Sequence, residues 1–103
     1  MLFQINYGDV TKSDALDEHV RHQVDHALRH CADRFTRVEV HLRDDNGRKA
    51  GQSDKRVLIE ARPAGAEPIT VEHFGADLYQ ATIEAAKKLH RAVEHFIDRH
   101  RTH

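Results

Sequence analysis

Residues 16–42 read LDEHVRHQVDHALRHCADRFTRVEVHL, and the period of their apolar residues changes once along the way. Leu16, Val20, Val24, Ala27, Leu28, Cys31 and Phe35 recur at steps of three and four, which predicts an amphipathic helix with one buried stripe. From Arg37 to Arg43 the step becomes two. Val38, Val40 and Leu42 then share one face and Glu39, His41 and Arg43 the other, the pattern of a half-buried strand. Ser13 stands just before the helical stretch as its N-cap, with Asp14, Asp17 and Glu18 near the positive end of the helix dipole.

The flanks complete the pattern. LFQINY, residues 2–7, alternates Phe3, Ile5 and Tyr7 against Leu2, Gln4 and Asn6, a short first strand that Gly8 and Asp9 break. KRVLIEARP (55–63) and EPITVEHF (67–74) predict two further strands divided by a turn around Pro63 to Pro68. Between Asp44 and Asp54 the polar connection DDNGRKAGQSD reads as a mobile hairpin loop; it lacks the glycine and final glutamate of an EF-hand. From Ala76 onward Leu78, Thr82, Ala85, Leu89, Val93 and Phe96 return to helical spacing almost to the C-terminus. The order is β-α-β-β-β-α. Three consecutive strands imply an antiparallel meander, and both helical stripes must cover one face of it. The expectation is a two-layer α+β domain with two helices on one face of a four-stranded sheet, like a double-stranded-RNA-binding domain. Glu39, His41, Arg43, Glu60 and Arg62 would face water on the other side.

At 103 residues, 39% hydrophobic and 32% charged, residues 1–103 suit a single domain with its own core. The only cysteine, Cys31, lies on the apolar stripe and reads as core packing. A lone cysteine favours a reducing compartment, and neither a signal peptide nor a membrane-spanning apolar run is present, so the expected location is the cytoplasm. No G-x-S-x-G, H-E-x-x-H, Walker loop or G-x-G-x-x-G occurs, which argues against an enzyme, a cofactor or a small-molecule substrate.

The net charge of −1 leaves out ten histidines. His19, His22, His26 and His30 fall within a sector of roughly 80° on the polar side of the first helix, predicting one exposed row. A solvated face, a weak metal site through i,i+4 imidazole pairs, or conditional positive charge for a polyanion are the readings such a row permits. On the second helix Lys88, Arg91, His95 and Arg99 use the same three-four-four steps and are expected to point to solvent. Two such rows together could track a phosphate backbone; lacking interleaved aromatics, they would recognise shape and charge. Against this, Asp14, Asp17, Glu18, Asp25 and Asp33 outnumber Arg21, Arg29 and Arg34, so the first helix is acidic until its histidines charge. That feature would suit a protein-interaction or regulatory domain.

ADLYQATIEAAKKLHRAV, residues 76–93, resembles the second helix of the ribosome hibernation-promoting factor family, also called ribosome-associated inhibitor A or sigma-54 modulation proteins. The shared pattern falls on Asp77, Leu78, Tyr79, Ala81, Lys88, Leu89 and Arg91. INYGDVTKSDALDEHV resembles the family's first strand, loop and helix start, with its Ala-Leu pair at Ala15 and Leu16, and DRFTRVEVHL its helix exit into the second strand. The likeness spans residues 2–98. It implies a factor that binds the small ribosomal subunit in the channel used by mRNA and tRNA, in a short form without the C-terminal dimerisation domain. The rRNA-binding residues it suggests are Arg21, His22, His26, Arg29, His30, Lys87, Lys88, Arg91, His95 and Arg99, with no metal.

Overall fold

The structure, a computed structural model, describes residues 1–44 and 54–100. Residues 45–53 of the expected hairpin loop lie outside the described residues. The elements are β1 (Leu2–Asn6), α1 (Asp14–Ala27), a single 3₁₀ turn (Ala32–Arg34), β2 (Phe35–Asp44), β3 (Lys55–Pro63), β4 (Ile69–Gly75) and α2 (Leu78–His100). The sheet runs β1-β2-β3-β4, with β1 parallel to β2 and the other two pairings antiparallel. Parallel neighbours need a crossover, which α1 supplies.

Ser13 caps α1 as its position predicts: its backbone is extended and its hydroxyl accepts the Leu16 N–H at 3.1 Å. The helix stops at Ala27, shorter than the apolar stripe. Leu28 closes it, its N–H bonded to the carbonyls of Val24 (3.1 Å) and Asp25 (3.2 Å), and the Arg29 guanidinium donates to the His26 carbonyl at 2.6 Å. Leu28, Cys31 and Phe35 are nonetheless all buried. The stripe outlives the helix because the turn and the 3₁₀ segment continue over the same core at nearly helical spacing.

Both helices lie on one face of the sheet. Val38, Val40 and Leu42 of β2 and Val57, Ile59 and Ala61 of β3 form its buried surface, and Leu28, Leu89, Val20, Val24 and Val93 pack upon it. Pairs on the outer face follow the register. Arg37 stands opposite Arg62, Glu39 opposite Glu60, and Arg43 opposite Arg56, which in turn faces Phe74. Two ion pairs there run along the strands, Arg37 to Glu39 at 2.6 Å and Arg62 to Glu60 at 3.8 Å, and a third, Arg56 to Glu72, crosses from β3 to β4.

A polar clasp joins β1 to α1. The Tyr7 hydroxyl donates to Asp17 at 2.7 Å, Arg21 Nε donates to the same carboxylate at 2.8 Å, and the Arg21 guanidinium lies 4.9 Å from the Phe3 ring centre. Burial, reinforced by Asp17, pushes the Tyr7 phenol up to about 12. Arg21, then Tyr7, hold the Asp17 carboxyl below its usual range. Between these elements Gly8 has φ +58°, and a Cβ there would stand 2.9 Å from the Leu42 carbonyl oxygen, so the turn requires glycine.

Leu28→Ala and Leu89→Ala are each expected to lower unfolding free energy by about 2–5 kcal/mol, read as reduced urea midpoints at constant m. The clasp sets a pH dependence. Asp17 is more acidic folded than unfolded, so its contribution is present above the ordinary value of 3.8 and lost as pH falls through the lower folded value. Thermal melts should therefore show Asp17→Asn less stable than the parent at pH 7 and converging with it as acid is added.

Candidate nucleic-acid interface

Because α1 and α2 share one sheet face, the polar flanks of their stripes meet along a seam. That seam is a groove of about 320 Å³, floored by Ala27, Ile83 and Ala86 and rimmed by Gln23, His26 and Arg29 on one side and Lys87, His90 and Arg91 on the other. The floor is shallow because alanines bring the helices close. On the rim, Arg29 and Arg91 are exposed, and Lys87 makes only a loose 3.5 Å pair with Glu84. Surface pairs of that kind leave the cation available to an incoming anion.

Four of the expected residues, His26, Arg29, Lys87 and Arg91, therefore converge. The rest are distributed differently. Arg21 is exposed but turned toward the Asp17 clasp, and His22 is exposed without lining the groove. His30 is not on α1 at all; it sits in the turn after it and lines a neighbouring hollow with Cys31, His90 and Glu94. His19, expected in the exposed row, is half-buried against α2, one ring nitrogen 2.9 Å from the Tyr79 carbonyl and its ring 4.9 Å from the Tyr79 ring. His95 and Arg99 are exposed farther along α2, outside the groove.

Lys88 is the clearest departure. It is half-buried, and its ammonium donates to the Glu72 carbonyl of β4 at 2.9 Å. At about 100° per residue Lys88 turns away from Lys87, so it reaches the sheet while its neighbour reaches the seam. His90, which the sequence row passes over, bridges the helices: Nδ1 lies 3.3 Å from the Ala27 carbonyl at the end of α1, and Nε2 lies 3.2 Å from Glu94. Its signal was present in the i,i+4 spacing to Glu94, but only the packing of α1 reveals the second partner. Among the described residues no group of three or more His, Cys, Asp or Glu is placed to hold a metal ion. No helix among them is long and apolar enough to cross a membrane.

Residues 3–101 match the sigma 54 modulation protein / S30EA ribosomal protein family, and the chain belongs to it. In three dimensions it is similar to a ribosomal subunit interface protein from Coxiella burnetii, with a TM-score of 0.76 at 19% identity, covering 93% of this chain and 97% of that one. It is also similar to the N-terminal domain of Thermus thermophilus Protein Y, with a TM-score of 0.73 at 23% identity, covering 93% of this chain and 99% of that one. Likeness at such identities speaks to the fold. No curated protein matches the sequence.

The different settings of Lys88 and Arg91 have a measurable consequence. Lys88→Ala removes a charged donor from a sheet carbonyl and is expected to cost about 1–3 kcal/mol. Arg91→Ala should stay within about 0.5 kcal/mol of the parent. Paired denaturant titrations compare the two.

Proposed function

We propose that this protein binds the small ribosomal subunit, laying the α1–α2 seam against rRNA in the channel used by mRNA and tRNA, and thereby blocks and preserves idle ribosomes as a non-enzymatic cytoplasmic factor. The observation that carries the reading is the meeting of Arg29, in the turn that closes α1, with Lys87 and Arg91 of α2 across a single groove. Cations held at a fixed spacing, two on α2 and one in the turn after α1, suit a phosphate backbone, whose binding is driven largely by counterion release. The groove is lined by no Phe, Tyr or Trp, so it fits the contour of a folded RNA better than its bases. His26 adds charge whenever it is protonated. Membership of the S30EA ribosomal protein family, and the name of the interface protein from Coxiella burnetii, support the same partner.

A second reading rests on α1, where Asp14, Glu18 and Asp25 are exposed. Such an acidic flank suits a basic protein partner better than RNA, and would make the chain a regulatory domain.

Co-sedimentation with purified small subunits separates the two. The parent is expected to pellet, with binding that weakens with salt by about 0.9 log-log unit per phosphate contact. Lys87→Glu combined with Arg91→Glu should lower affinity about tenfold or more and flatten the salt slope by nearly two units, with an unchanged melting curve. Equal pelleting of parent and double variant would leave the seam without a role, and a parent that does not pellet would favour the protein partner.

A further inference from the structure

The helix-bearing side does not exhaust the molecule's cationic surface. On the opposite face of the sheet, Arg43, Arg56 and Phe74 form one cross-strand row over β2, β3 and β4. Phe74 is 52% exposed. Arg43 is also exposed and has no ion-pair partner among the described residues, whereas Arg56 is paired with Glu72 one strand away. Arg43 and Arg56 line an open concavity of about 560 Å³ with His41, Asp9 and the half-buried Leu58. The Asp9 carboxylate, at the edge of the same concavity, accepts the Asp44 N–H at 3.0 Å. His41 is turned toward Glu39 at 3.4 Å.

An exposed phenyl ring in register with two arginines is a combination that the α1–α2 seam lacks. A phenyl face accepts an unstacked base of any sequence, and an arginine at the next strand position can reach the phosphate linked to it. Adjacent strands lie about 4.8 Å apart, so the row spans roughly 10 Å from Phe74 to Arg43, a length within one nucleotide's reach. A duplex cannot use the same row, because its bases are already stacked on each other.

We propose that the outer sheet face carries a second RNA contact, specific for a single-stranded segment, in which Phe74 stacks a base and Arg43 and Arg56 hold its phosphate. It rests on the ribosomal reading only for the choice of RNA as ligand. The two faces then divide the work. The seam engages folded RNA by shape, and the sheet captures an unpaired stretch on the far side.

The experiment uses fluorescein-labelled oligouridylate, alone and annealed to oligoadenylate, with anisotropy as the readout at low salt. The variant with Lys87→Glu and Arg91→Glu, whose seam has lost two of its cations, is expected to bind the single strand more tightly than the duplex. Phe74→Ala should weaken single-strand binding about fivefold or more, while Phe74→Tyr, which keeps a stacking face, restores it. Arg43→Glu should weaken it too and flatten its salt dependence. Lys87→Glu with Arg91→Glu, on the other face, should leave oligouridylate binding near the parental value. That last variant also keeps this test apart from the seam's: it can fail to alter subunit pelleting while the Phe74 series still holds. The proposal is overturned if the parent does not bind oligouridylate, if the Lys87→Glu, Arg91→Glu variant binds the duplex as well as the single strand, or if Phe74→Ala and Arg43→Glu both bind as the parent does.

Discussion

Everything in this fold follows from the need to bury two apolar helix stripes on one face of a four-stranded sheet. The strands supply Val38, Val40, Val57 and Ile59 as the buried surface, and α1 and α2 must lie side by side to cover it. Side-by-side packing has a geometric result. The residues flanking each stripe, a quarter-turn from the core, are forced against the corresponding flank of the other helix. Ala27 and Ala86 let that approach be close, and the longer polar side chains beside them become a rim. The groove is therefore a by-product of core packing, and its charges are held by α2 and by the end of α1 with the turn that closes it.

The element order was readable because each segment keeps a clean period. Alternation in residues 37–43 and three-four steps in residues 78–96 cannot exchange roles without exposing an entire apolar set. The Ser13 cap was readable for the same local reason. The end of α1 was not, since Leu28, Cys31 and Phe35 continue the stripe through a turn; periodicity reports burial, and burial continued after the helix did not. Nor did the sequence reveal that β1 would join β2 in parallel, a choice made by the crossover and not by any residue in β1.

Site residues were legible in kind more than in place. Spacing on a helical wheel puts Lys88, Arg91, His95 and Arg99 in a single row, yet Lys88 ends on a backbone carbonyl of β4 and Lys87 joins the seam. A side chain with four methylenes can reach past its nominal sector, so the wheel assigns a Cβ direction and leaves the ammonium undetermined. Arg21 and Arg29 illustrate the same limit, as one closes a clasp over Asp17 and the other, in the turn after α1, leans back on the last turn of that helix. The contact between His90 and Ala27 spans 63 residues, beyond the reach of any local pattern.

The outer face of the sheet places like beside like: Arg37 faces Arg62, and Glu39 faces Glu60. Sliding β3 by two residues would put Glu39 opposite Arg62 and His41 opposite Glu60, while still keeping every apolar side chain on the inner face. Surface charge thus pulls against the register that the chain adopts. The pairing is decided beneath, by which volumes fit under the helices, and at the strand end, where the Thr36 hydroxyl donates to the Arg62 carbonyl at 3.2 Å. A fold that prevails over its own surface electrostatics retains local frustration there. The arginines of that face sit in a field less favourable than a rearranged neighbour would give them, and an arriving anion relieves it without any strand having to move.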